Sequence, residues 1–321
     1  MNPYFTDKPF FILAPMDDVT DCVFRSVVAD CAAPDLFMTE FVNVDGLQSP
    51  GREKLIHKLR RFRKEDNVIA QIWGLKPENF YKTAMELGEM GFIGIDVNMG
   101  CPAKSEVKNG ACSALINNRP LAVDIIQATK SGAAAGQIKL PVSVKTRLGF
   151  SFIDLSWHEL LLNQQIDMLT VHFRTRKEMS KVPAHWDYAS RIVELRDKIS
   201  PHTAIVGNGD VMNKQYAEEL VEKTGVDGVM IGRGVFQDPY CFSSPSVWTS
   251  KTKEEKIDLL KKHVTLFTET WNSGERRFET LKKFAKIYIN GFDGASDMRV
   301  NIMDCQSAEE LLELLPKLYN T

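Results

Sequence analysis

A cysteine stands just beyond an apolar run, Ile93-Gly94-Ile95-Asp96-Val97, in the string Asn98-Met99-Gly100-Cys101-Pro102. The run reads as a buried strand and the string as the loop into which it opens. In an α/β barrel that is where chemistry is placed. Glycine before the thiol and proline after it fix a sharp turn and let a planar ligand approach the backbone closely. A thiol with an ordinary pKa of ~8.5 is mostly protonated at neutral pH, so Cys101 could donate a proton as well as act as a nucleophile.

Other β-rich runs end on similar chemistry. The first ends in Pro15-Met16-Asp17, the third contains Gln71, and the fifth gives Lys145 and Arg147. The sixth gives His172 and Arg174, the seventh Asn208-Gly209-Asp210, and the eighth Gly232-Arg233-Gly234. One lysine at a strand end is ordinarily solvated, and one histidine is ordinarily a satisfied core or surface group. Seven strand ends in agreement, counting the cysteine loop, are not explained that way. The last two loops offer clustered backbone N–H groups and an arginine, which suits a phosphate. Gln71, Lys145 and His172 can converge on a planar ring over the barrel mouth, where a lysine stabilises developing negative charge as in a reduced flavin. The glycines have the wrong order and spacing for a Rossmann fingerprint.

Eight candidate strands must position these residues: 10–14, 36–39, 68–73, 94–98, 142–146, 168–172, 204–207 and 228–232. Amphipathic stretches such as 79–90, 121–131 and 214–223 lie between them, each long enough for a crossover helix. The pattern predicts an α/β fold, a (β/α)8 TIM barrel, in preference to an open doubly wound sheet. After Phe236-Gln237-Asp238-Pro239 the strand signals stop, and helices are expected over 253–271, 276–290 and 307–319. Ser307 and Glu310 have capping-box spacing for the last. The expected organisation is a catalytic barrel over 1–244 and a smaller all-helical domain over 245–321.

A chain of 321 residues can bury one large barrel core or two medium ones. Its first eight residues do not read as a secretory signal, and no apolar run approaches the ~20 residues that span a bilayer. Six scattered cysteines without C-x-x-C or metal-type Cys/His spacing suit a reducing cytosol and predict no metal site. A net charge of −2 gives no global attraction to nucleic acid, so any RNA affinity must be local. Arg52, Lys54, Lys58, Arg60, Arg61, Arg63 and Lys64 form one basic stretch, with Glu53 its only acid. Lys282, Lys283 and Lys286 with Arg276 and Arg277 form another, interleaved with Phe278, Phe284 and Tyr288 at a spacing that suits a buried stripe.

Leu13-Ala14-Pro15-Met16, the segment Asp96 to Pro102, Val142 to Arg147, His172-Phe173-Arg174-Thr175 and Gly207-Asn208-Gly209-Asp210 together resemble the tRNA-dihydrouridine synthases. The order and spacing match over the whole barrel, and the helical region resembles the family's RNA-binding domain more loosely. The resemblance implies FMN contacts from Pro15, Met16, Asp17, Gln71, Lys145, His172, Asn208, Gly209, Asp210, Gly232 and Arg233. It places Cys101 as the catalytic acid and Asn98 beside the target base. Lys104, Lys108, Arg174 and Arg176 would face RNA or the phosphate end of FMN, and Lys282, Lys283 and Lys286 the RNA backbone. It further implies NADPH or NADH as electron donor, tRNA as substrate and a monomer, with no membrane partner. Two departures stand out. Phe173 follows the histidine where the family usually has glycine, which predicts a less close approach of that backbone to the flavin. Cys112 stands where glycine is common and competes with Cys101 for the role of acid.

The chemistry implied is reduction of the uridine C5–C6 bond, with a hydride from flavin N5 to C6 and a proton from Cys101 to C5. The base must leave its stack to reach a barrel mouth. Two other readings stay open on these residues: an FMN barrel acting on a small pyrimidine such as dihydroorotate, and a non-redox phosphate-binding barrel or RNA scaffold in which Lys145 is a Schiff-base lysine.

Overall fold

Inward and outward side chains alternate along the strands, as a sheet buried on both faces requires. In the computed structural model, which describes residues 8–62 and 65–320, the strands are β1 (Phe10–Leu13), β2 (Leu36–Met38), β3 (Val42–Asn43), β4 (Val68–Trp73), β5 (Gly94–Asn98), β6 (Val142–Arg147), β7 (Met168–His172), β8 (Ala204–Asn208) and β9 (Gly228–Ile231). All pair in parallel, β1 with β9 at one seam and β2 with β4 at the other. The result is a closed (β/α)8 barrel. The second stave is interrupted: β2 pairs with the start of β4 and β3 with its end, and Thr39, Glu40 and Phe41 form the break.

The helices are α1 (Cys22–Ala32), α2 (Val44–Leu47), α3 (Pro77–Glu89), α4 (Lys104–Lys108), α5 (Arg119–Ala135), α6 (Leu155–Leu162), α7 (Ala189–Ile199), α8 (Lys214–Thr224), α9 (Lys253–Thr270), α10 (Glu279–Lys282), α11 (Ala285–Tyr288), α12 (Ala295–Asp304) and α13 (Ala308–Leu314). The expected single helix over 276–290 is two short turns, α10 and α11. Helix α12 was not anticipated; it begins after Gly294 at φ +78°, a conformation glycine adopts without penalty. The Ser307 hydroxyl caps α13 by accepting from the Glu310 N–H, but the Glu310 carboxylate reaches the N–H of Gln306 instead of Ser307, so the reciprocal box is incomplete. The full box belongs to α9, where Thr252 and Glu255 cap each other.

Two apolar cores result. Phe10, Ile12, Leu36, Met38, Ile69, Met168, Ala204 and Met230 fill the barrel interior towards its base. Outward residues such as Leu13, Val97, Val144 and Val171 pack under the helices in a second core. That outer core continues into the C-terminal helices: α9 packs on α1, and the Phe24 ring lies 4.9 Å from Phe284.

Candidate active site at the barrel mouth

The inward positions change character along the strands. Above the apolar floor, Gln71, Asp96 and Ser143 stand in register on β4, β5 and β6. The Asp96 carboxylate accepts from Gln71 Nε2 at 2.7 Å and from Ser143 Oγ at 2.6 Å. Burial pushes its pKa up to about 6 against those two hydrogen bonds. Gln71 also accepts from Asn98 Nδ2 at 3.0 Å. Nearer the mouth, Asn98 pairs with Lys145, Arg147 with His172, and His172 with Asn208. Register alone therefore gathers the polar ends of β5 to β8.

A cleft of about 170 Å³ opens here, lined by Pro15, Met16, Lys145, His172, Asn208, Gly209, Asp210, Gly232 and Arg233 among others. Lys145 Nζ donates to Asn208 Oδ1 at 3.3 Å, and Asn208 Nδ2 donates to the Met230 carbonyl at 2.8 Å. Burial, reinforced by Arg147, brings the Lys145 ammonium down to about 8, so it remains mostly charged at neutral pH. Burial and then the surrounding Arg147 and Lys145 hold His172 well below its usual pKa, so its ring is neutral. Its Nδ1 is buried without a hydrogen-bond partner among the described residues. A buried ring nitrogen left open beside a cleft is suited to a bound ligand.

One end of the cleft gathers two arginines about an aspartate. Asp210, in the left-handed region at φ +56°, accepts from Arg174 Nη2 and, at 2.9 Å, from Arg233 Nη2 and the Ala184 N–H. Gly209 has φ +127°, and a Cβ there would lie 2.8 Å from that of Ala184. Arg174 is almost wholly buried and keeps Nη1 without a partner among the described residues, whereas Arg233 is exposed. Trp186 braces the loop from behind, donating its indole N–H to the Gly209 carbonyl at 2.8 Å. Phe173 packs on Trp186 in the outer core, with ring centroids 4.6 Å apart, so the departure from glycine adds no bulk to the cleft.

The cysteine loop is tied to the same sheet. Asn98 Oδ1 accepts the N–H groups of Gly100 and Cys101 at 3.1 and 3.0 Å. Arg147 Nε donates to the Gly100 carbonyl at 2.7 Å. Ser113 Oγ donates to the Cys101 carbonyl at 2.7 Å and brings the neighbouring Cys112 against the first thiol. Cys112 is buried at φ +54°, which explains why a glycine suits that position. The hydrogen bond from Cys112 lowers the Cys101 thiol to about 7, while the same contact and burial push Cys112 far up. Cys101 is therefore a stronger acid than an ordinary thiol, and Cys112 stays protonated.

The remaining expected site residues fall in different places. Gln71 lies beneath the cleft and does not line it; Asp17 is exposed and pairs with Lys58 at 2.5 Å. Lys104 and Lys108 are exposed on α4, directly after the cysteine loop. Arg176 stacks over Phe150, 5.2 Å from its centroid. Lys282 donates to the Met303 carbonyl at 2.8 Å, Lys283 to the carbonyl of Asp18, and Lys286 stands exposed beside them. The basic stretch after β2 is mostly spent within the protein. Arg52 pairs with Glu86 at 2.9 Å, Arg60 donates to the Thr270 carbonyl at 2.6 Å, and Arg61 donates to the Met90 and Glu65 carbonyls at 3.0 Å. Arg63 and Lys64 lie outside the described residues. Asp96, Ser143 and Trp186 were missed as site residues. Only the odd acid within an apolar strand could have flagged one of them.

Fold and site together define a (β/α)8-barrel enzyme with a polar cleft across the strand ends, flanked by arginines beside the last two strands. The family model for Dihydrouridine synthase (Dus) matches residues 12–320. The chain belongs to that family. It is 47% identical over 312 residues to a probable tRNA-dihydrouridine synthase of Staphylococcus aureus (strain COL), covering 96% of this chain and 92% of that protein. It is 44% identical over 313 residues to the probable tRNA-dihydrouridine synthase 2 of Bacillus subtilis (strain 168), covering 96% and 93%. Among solved structures, histamine dehydrogenase from Rhizobium sp. 4-9 superposes with a TM-score of 0.53 at 11% identity over 80% of this chain and 48% of that one, a likeness of fold.

Proposed function

We propose that this protein reduces uridine in tRNA to 5,6-dihydrouridine, holding FMN in the cleft and drawing electrons from NADPH or NADH. The observation that carries this reading is the open Nδ1 of His172 beside Lys145, in a cleft that ends on a doubly arginine-bound Asp210. That donor set fits a flavin phosphate: charge and hydrogen bonds for the ring at one end, N–H groups and arginine for the phosphate at the other. When bound and reduced, the cofactor supplies a hydride for C6 of the base. Lys145 offers positive charge beside the ring, and neutral His172 offers a hydrogen bond without adding charge. Cys101 gives its proton to C5, where negative charge builds, and the Cys112 S–H stabilises the thiolate left behind. Asn98 fixes the cysteine backbone and retains one amide hydrogen for the edge of the base.

We read Lys104 and Lys108 on α4 and Lys286 on α11 as contacts to the RNA backbone, and the chain as a barrel over 1–244 carrying a helical appendage over 245–321. A monomer working in the cytoplasm accords with this assignment. Among the described residues no helix is long and apolar enough to cross a membrane. The test is the visible spectrum of the purified protein, bleached anaerobically with NADPH and followed after adding tRNA that lacks dihydrouridine. Return of the oxidised spectrum with tRNA is expected. A flavin that stays bleached with tRNA but reoxidises with a small pyrimidine would overturn the RNA assignment, and a protein unable to bind FMN would overturn the flavin.

A further inference from the structure

Arg276 belongs by sequence to a basic group of which the lysines were the expected RNA contacts, yet its own side chain is 4% exposed and faces the barrel. Its Nη2 donates to Glu40, its Nε lies 3.4 Å from Asp21, and its Nη1 lies 3.9 Å from Asp18. The guanidinium also sits 5.2 Å over the ring of Trp271, whose indole N–H donates to Asp21 at 3.2 Å. Glu40 is wholly buried in the break between β2 and β3, and its other oxygen accepts the Asp18 N–H at 2.7 Å. The Asp18 carbonyl accepts from Lys283. Asp18 is thus gripped at both peptide groups while it holds φ +56°, a left-handed conformation uncommon for a residue with a Cβ. Such conformations persist only where the surroundings over-determine them, and they concentrate at ligand clamps. Two residues earlier is Met16, which lines the cleft and whose carbonyl accepts the N–H groups of Val19 and Thr20 at 3.1 and 3.0 Å.

We propose that Arg276 is a positioning residue: through Glu40 and Asp18 it fixes the Pro15–Met16 edge of the cleft, so that the C-terminal helical segment governs cofactor retention without touching the cofactor. The proposal rests on reading the cleft as the FMN site. The acidic group of Asp17, Asp18 and Glu40 is accordingly part of an ion-paired joint with Arg276 and Lys58. Clamp and cofactor can be tested separately in the full-length protein. Hydrogen exchange at the Asp18 amide of the apoprotein reads the clamp, and quenching of FMN fluorescence on titration reads the cleft.

Arg276→Gln should speed Asp18 exchange at least tenfold and weaken FMN binding at least tenfold, and Arg276→Lys should recover part of both. Because the glutamine variant leaves a buried carboxylate without its counter-charge, the pair Glu40→Gln with Arg276→Gln provides a second variant. It should fold normally and still bind FMN weakly, because residue 40 is no longer anchored. Unchanged Asp18 exchange would overturn the clamp. Faster exchange with undiminished FMN affinity, or a loss confined to tRNA affinity, would overturn its role at the cleft. If the unaltered protein bound no FMN, the functional reading would fail, and exchange at Asp18 would still decide whether Arg276 holds this edge.

Discussion

At the residue scale two thiols are in contact. Cys101 lies in the loop beyond β5, and Cys112 touches it from a buried, left-handed backbone position. Cys101→Ala should leave FMN binding intact and slow tRNA reduction by ~10²-fold or more, the usual contribution of a positioned acid; single-turnover reoxidation of the reduced flavin by tRNA measures it. With the Cys101 pKa lowered to about 7 by Cys112, its alkylation rate should rise through a midpoint near pH 7. In Cys112→Gly that midpoint should move up towards the ordinary thiol range of ~8.5, because the donor to the thiolate is gone. Equal midpoints in the two proteins would contradict the pairing. Cys101 was legible in the sequence because a strand end followed by glycine, cysteine and proline has few structural explanations. The contact with Cys112 was not, since it depends on Ser113 returning the chain to the Cys101 carbonyl.

Elements explain why most of the mouth could be read in advance. Strand periodicity places every second residue inward, so Lys145, His172 and Asn208 follow from locating β6, β7 and β8. The second stave resisted the same reading, because Thr39, Glu40 and Phe41 do not announce a break and only pairing with β4 reveals one. The helix expected over 276–290 failed for a related reason: its lysines and aromatics keep helical spacing while Arg276 and Lys283 are drawn to the barrel. Behind the arginine-flanked end of the cleft, Gly207 leaves room for Trp186, whose ring would lie 2.3 Å from an added Cβ. Gly207→Ala should therefore cost ~1–3 kcal/mol by overpacking. It should also weaken FMN binding, because the displaced indole no longer supports the Gly209 carbonyl. Urea denaturation and flavin titration of the same variant test both halves.

Over the whole molecule, a net charge of −2 gives no global attraction to tRNA, so its binding must rest on local clusters of cations. Binding should weaken as salt is raised from 50 to 200 mM, by about tenfold or more if several phosphates are neutralised. Lys286→Glu should lower tRNA affinity and flatten that salt dependence while flavin affinity holds; fluorescence anisotropy with labelled tRNA reports it. In the basic run over 52–64, Arg52 and Arg61 are engaged by α3 and the residue that ends it, and Arg60 by the end of α9. No local pattern in the chain discloses such partners. The outer core that runs from α1 into α9 and α11 has a further consequence, for how the protein is made. On the ribosome, the barrel strands emerge well before residues 257–289, so the outer face of α1 around Phe24 waits uncovered through the last stage of synthesis. A stalled or prematurely released product would keep that face bare, an invitation to aggregation or proteolysis. Cofactor loading would then be a late event, completed only once the end of the chain has folded back onto its beginning.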